Sequence, residues 1–209
     1  VEDELEQRDS IIKELQLDEL TGLAMRRRYE GTALRVIEAR SKRADELKKF
    51  QETQNDVEVT MPQVSMLMID ADHFKRINDV YGHAGGDFVL RELGKLINNS
   101  FRKEDLKARY GGEELVVIMP DCDLKTARIK AETFRKAVEN HDFTFHPHGG
   151  EPIKIEPVRV SIGVGNVSFA TDSGEPKEFK ALLEKRADAL VYAAKDMGRN
   201  TVVSQDAVD

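Results

Sequence analysis

Residues 107–120 read KARYGGEELVVIMP. Two β-type runs, KARY and ELVVIMP, flank Gly111-Gly112, and that pairing predicts a hairpin closed by a two-residue turn. Glycine there admits positive φ and leaves no side chain over the backbone. Two carboxylates, Glu113 and Glu114, follow the turn at once. Taken alone, glutamates beside a turn are solvated charge.

Working outward, VSMLMID (64–70) is a continuous apolar run ending in a carboxylate, which predicts a buried central strand. VRVSIGVGNV (158–167) predicts another. Helices are expected from about Met25 to Lys49, over 73–80, and from about Gly86 to Asn99 with Val89, Leu93 and Leu96 on one face. Leu124, Ala127, Ala131, Phe134 and Val138 mark the next helix. Phe179, Leu182, Leu183, Leu190, Val191 and Ala194 mark the last, stopped near Gly198. QETQNDVEVTMPQ (51–63) reads as a long polar loop and HPHGGEP (146–152) as a turn-rich break. The pattern is α/β of the α+β kind: a central, mostly antiparallel sheet flanked by helices.

The chain has 209 residues, 40% hydrophobic and 34% charged, enough apolar material for a core and the length of one domain with an appended segment. A net charge of −7 argues against a generic nucleic-acid surface. No run approaches the length of a membrane span and no signal peptide is visible. The lone Cys122 forms no internal disulfide, which fits a reducing, cytoplasmic compartment, and its aspartate neighbours disfavour the thiolate. His141, His146 and His148 have no further ligands beside them and read as solvated. The chain starts at Val1 without methionine, so we expect a longer protein with a further N-terminal domain. Residues 1–17, VEDELEQRDSIIKELQL, place Val1, Leu5, Ile12 and Leu15 at a/d heptad positions with Arg8 interrupting. They read either as one amphipathic helix against the domain or as the end of a coiled-coil connector.

If the 64–70 strand pairs beside the hairpin, Asp70 and Glu113 meet where the strands end. Converging carboxylates repel unless a cation neutralises them. Magnesium takes one or two protein carboxylates and completes its shell with water and phosphate, and two such ions assist phosphoryl or nucleotidyl transfer. Residues 70–87, DADHFKRINDVYGHAGGD, add Lys75, Asn78 and Asp87 around a Gly-His turn. An Asn and an Asp can together hydrogen-bond the guanine edge and reject a base that leaves them unpaired. The plainer roles are a helix C-cap for Asn78 and an N-cap for Asp87. In RADALVYAAKDMGRN, Lys195 and Arg199 stand four apart, on one helical face, where an anion or only the helix dipole would favour them.

Together these blocks resemble the GGDEF family, the diguanylate cyclases. The resemblance rests on DELTGLAMRRR (18–28), DADHFKRINDVYGHAGGD (70–87), RYGGEEL (109–115), VSIGV (160–164) and ADALVYAAKDMGRN (187–200), in the family's order. It implies a fold like the polymerase palm or nucleotidyl cyclases over residues 18–209, with 1–17 as connector. It implies condensation of two GTP into cyclic di-GMP and two pyrophosphates, between two chains that face each other as a homodimer. By resemblance, Asp70, Glu113 and the carbonyl of Ala71 would bind two Mg2+ or Mn2+ ions, and Glu114 would assist the attacking 3′-hydroxyl. Asn78 and Asp87 would read guanine. Phe74, Lys75, Gly111, Gly112, Lys195 and Arg199 would contact the rest of the nucleotide. Arg102 and Asp105 match an inhibitory RxxD site for the product. The signature carries Glu113 where Asp is usual and Leu115 where Phe is usual. The alternatives are a non-catalytic receptor for GTP or cyclic di-GMP, and a cyclase using adenine; the intact Asp70, Glu113, Glu114, Asn78 and Asp87 set favours the guanine cyclase.

Overall fold

The computed structural model describes residues 16–54, 57–147 and 150–207. The heptad positions up to Leu15, and His148, lie outside them.

Twelve helices and strands follow in the order β1 (Ala24–Met25), α1 (Arg26–Thr53), β2 (Gln63–Ala71), α2 (Phe74–Ser100), β3 (Leu106–Arg109), β4 (Glu114–Pro120), α3 (Leu124–Glu139), β5 (Thr144–Phe145), β6 (Ile153–Lys154), β7 (Val160–Ser168), α4 (Pro176–Asp196) and β8 (Val202–Ser204). A six-stranded sheet runs β1-β3-β4-β2-β7-β8, and β5 with β6 forms a separate ribbon. The three central pairings are antiparallel, and only the outer pairs β1–β3 and β7–β8 are parallel.

The sheet is buried on both faces, which is why β2 reads as an unbroken apolar run although its neighbours are antiparallel. Leu67, Ile69, Leu115, Val117, Ile162 and Val164 point to the side covered by Val89, Leu93 and Ile97 of α2 and Phe134 of α3. Val64, Met66, Met68, Val116 and Ile118 point to the other, covered by Tyr29 and Ile37 of α1 and Leu183 and Ala187 of α4. The alternation follows the period of two along each strand. β7 lies so close to α4 that a Cβ at Gly163 would meet the backbone at Ala187 and Val191.

Asp123 caps α3 by accepting from Thr126 N at 2.7 Å. Pro176 starts α4, and Glu178 reaches back to Glu175 N at 2.8 Å. The two helices expected over 73–80 and 86–99 are one span broken at Gly82, whose φ of 72° and ψ of 170° are not helical. The break falls in the gap expected between them, but the second segment starts ahead of Gly86, so Asp87 sits within it and is not its N-cap. Helix α1 runs on to Thr53 and takes the first three residues expected in the loop.

Candidate functional site

The site is set by register. On β2, Asp70 lies opposite Glu114 of β4 and Ser161 of β7. Asp70 thus faces Glu114 and not, as expected, Glu113, which stands one residue earlier in the loop; both glutamates are half-buried. Asp70 is only 7% exposed. Its Oδ2 accepts from Lys195 Nζ at 2.7 Å. Burial pushes its pKa up, Lys195 and Arg199 pull it down, and Asp72 adds to the rise. Among the described residues no group of three or more Asp, Glu, His or Cys is gathered to hold a metal. A hard cation needs less here: two carboxylates and a backbone carbonyl suit magnesium, which keeps water and phosphate in its other positions.

The signature turn differs from the expected two-residue hairpin. Tyr110 N and Gly111 N both donate to Glu114 O, at 2.8 and 3.2 Å, so Gly111, Gly112 and Glu113 form a three-residue loop. Neither glycine has positive φ. Space bears on Gly111 instead: a Cβ there would displace the flexible end of Glu114, whose carboxylate folds back over the turn. A Cβ at Gly112 would meet nothing within 4 Å, so that side of the turn is open.

Two residues outside the expected site hold this loop. Arg109 donates from Nε and Nη2 to Gly112 O at 3.1 and 2.8 Å, and its Nη1 meets Asp18 Oδ2 at 3.1 Å. Asp18 in turn accepts from Thr21 N at 2.9 Å. Arg26 stacks over Tyr110 with its guanidinium carbon 4.3 Å from the ring centre. Both ends of this clamp fall in the quoted blocks DELTGLAMRRR and RYGGEEL, but only the fold joins them.

Asn78 and Phe74 face Gly86 across the break at Gly82. A Cβ at Gly86 would strike the Asn78 amide oxygen and lie 3.2 Å from Phe74. Asp87 follows, exposed. Lys75 stands apart on the exposed side and pairs with Asp79 at 3.2 Å.

Lys195 and Arg199 do not share a helical face. Helix α4 ends at Asp196, and Arg199 sits in a left-handed turn with φ of 66°. Gly198 breaks the helix first, at φ of 103°. Asp72, two residues beyond Asp70, is 6% exposed. It accepts from Ser161 Oγ at 2.6 Å and Asn200 N at 2.9 Å.

Arg102 and Asp105 lie at the far end of β3 from the signature turn. Asp105 is 5% exposed and accepts from Arg102 N at 2.8 Å. Burial raises its pKa, while Arg102 pulls the other way. The Arg102 side chain is exposed. Cys122 is buried, and burial first, then Asp123, raises its thiol pKa. His141 is not simply solvated: its ring packs edge-on to Phe143 and its Nε2 lies 3.3 Å from Glu92 Oε2.

Comparison with known proteins adds the family. The model "Diguanylate cyclase, GGDEF domain" matches residues 15–201. Diguanylate cyclase A of Treponema denticola is 42% identical over 139 residues, 66% of this chain and 34% of that protein. Response regulator PleD of Caulobacter vibrioides is 47% identical over 144 residues, 69% of this chain and 30% of that protein. The chain thus spans about a third of these relatives' length. The crystal structure of the GGDEF domain of DgcB from Caulobacter crescentus, in complex with c-di-GMP, superposes with a TM-score of 0.71 at 27% identity, covering 91% of this chain and 96% of that one.

Proposed function

The chain belongs to the GGDEF family, and from that membership we propose that it is a diguanylate cyclase, joining two GTP into cyclic di-GMP with release of two pyrophosphates. The observation that carries this is the pairing of Asp70 with Glu114 across β2 and β4, with Lys195 on Asp70.

Asp70, Glu113 and the Ala71 carbonyl would hold two Mg2+ or Mn2+ ions, which supply charge neutralisation of the α-phosphate and activation of the attacking 3′-hydroxyl. Glu114 would lie beside that hydroxyl and assist it, directly or through metal. Lys195 and Arg199 would hold the terminal phosphates, and Lys75 would join them by leaving its pair with Asp79. The open side of Gly112 leaves room for the phosphates over the loop. Asn78 and Asp87 pair with the guanine edge, and Phe74 lines the base site. An adenine would leave the Asp87 carboxylate without a donor, so the site selects guanine.

One domain holds one GTP, so two copies must meet for bond formation. Residues 18–209 are the catalytic part and the segment before them the connector to a regulatory domain. Arg102 forks onto a phosphate or base of the product, Asp105 holds the turn that presents it, and product bound there keeps two domains from meeting. The setting is the cytoplasm, in keeping with a lone, buried cysteine. Among the described residues no helix is long and apolar enough to cross a membrane.

Single substitutions test the assignment. Glu113→Ala and Glu114→Ala should each lower turnover by at least about 10³-fold, the scale of a lost group in charge stabilisation, with the circular dichroism unchanged. Cyclic di-GMP formation at wild-type rate in both would remove the site. Arg102→Ala should leave initial rates intact and relieve inhibition by added cyclic di-GMP; undiminished inhibition would remove Arg102 from the product site.

A further inference from the structure

Gly198, Arg199 and Asn200 carry three consecutive positive φ values: 103°, 66° and 44°. Glycine takes such a conformation freely and asparagine tolerates it, but arginine does so at a cost. A strained run persists only where its surroundings over-determine it. Here those surroundings come from three other elements. Asn200 N donates to the buried Asp72 at the end of β2, at 2.9 Å, and Ser161 of β7 fixes the other Asp72 oxygen. The Asn200 amide is used on both sides. Its Oδ1 accepts from Arg135 Nη1 at 2.8 Å, and its Nδ2 donates to Glu139 Oε1 at 2.7 Å. Arg135 is itself held by two bonds to Glu132 and one to Glu139, each 2.8 or 2.9 Å. Arg199 N closes the turn onto Ala194 O at 3.1 Å.

The strained turn therefore locks onto the same strand end that carries Asp70. The helix that ends three residues before Arg199 also carries Lys195, which holds Asp70 at 2.7 Å. We propose that Asn200 and Asp72 are positioning residues, which hold Arg199 in its left-handed conformation and so aim its guanidinium at the terminal phosphates of the nucleotide. This rests on the reading of Arg199 as a phosphate ligand. Asn200 suits the task because it tolerates the backbone angle while its side chain ties the turn to α3. Asp72 suits it because a buried carboxylate takes two donors from different elements at once. Without the lock, the exposed Arg199 would sample many orientations and lose the preorganisation that a charge-assisted contact needs.

The test measures equilibrium binding of GTP and of GMP, both with magnesium, to the wild type, Arg199→Ala, Asn200→Gly and Asp72→Asn. GMP keeps the guanine but lacks the terminal phosphates. Asn200→Gly keeps the left-handed backbone accessible and deletes only the two side-chain bonds, so it does not threaten the fold. The expected result is that Asn200→Gly and Asp72→Asn each weaken GTP about tenfold while GMP changes less than about twofold, as Arg199→Ala does. Asn200→Gly added to Arg199→Ala should then cost GTP nothing more. Equal weakening of GTP and GMP, or unchanged GTP, in both Asn200→Gly and Asp72→Asn would overturn the positioning role if Arg199→Ala still weakens GTP alone. Unchanged GTP binding in Arg199→Ala would instead remove the premise, and the proposal with it.

Discussion

Asp70 is pulled in two directions. Burial favours its neutral form, and its proposed task needs the charge. A carboxyl whose folded pKa is raised above the unfolded value contributes stability that is fully present below the unfolded pKa and is lost as pH rises through the folded one. At neutral pH the ionised Asp70 is thus a net burden on the fold. Asp70→Asn should abolish turnover yet raise the melting temperature at pH 7 by about 3 °C, a trade common where a site is built from buried charge. A lowered melting temperature would mean that the Lys195 pair outweighs burial. The type and place of Asp70, Glu113 and Glu114 were legible as charges ending apolar runs. The role of Asp72 was not, because its partners Ser161 and Asn200 lie 89 and 128 residues away. Arg199 was legible as a cation near Lys195, but its left-handed backbone was hidden by four-residue spacing that looked helical.

Among the elements, the glycines of the hairpin and of β7 show how one residue type serves two ends. At Gly111 an added Cβ meets the flexible end of Glu114. Gly111→Ala should leave the melting temperature within about 2 °C but lower turnover by about 10²-fold, because a misplaced group near the chemistry costs rate far more than stability. At Gly163 the added Cβ meets backbone of α4, which cannot turn aside. Gly163→Ala should destabilise the domain by about 3 kcal/mol, measured by urea unfolding, as overpacking does. An equal response at the two positions would contradict this division. The hairpin was readable from its glycines and flanking runs, but its loop length was not, because Arg109 and Glu114 O shape the loop from outside it. Helices α3 and α4 were readable from their apolar spacing, since each buries one face against a single sheet. The break at Gly82 was readable from the Gly-His turn; the start of the second segment ahead of Gly86 was not.

For the whole molecule, the sequence pointed correctly to a mostly antiparallel sheet between helices. The outer parallel strands β1 and β8 went unseen, being two and three residues long and defined by pairing alone. The fold gathers one set of the proposed nucleotide-binding groups at the ends of β2 and β4, so on the proposed reading a single copy holds one GTP without joining it to another. Turnover is therefore a property of two copies, and the direct measurement is chromatographic product analysis with GTP and magnesium over a range of protein concentrations. Cyclic di-GMP should form at a rate rising more steeply than the first power of protein concentration until pairing saturates. No cyclic di-GMP at any concentration, from a protein that still binds cyclic di-GMP saturably, would contradict the cyclase and leave a nucleotide receptor in its place.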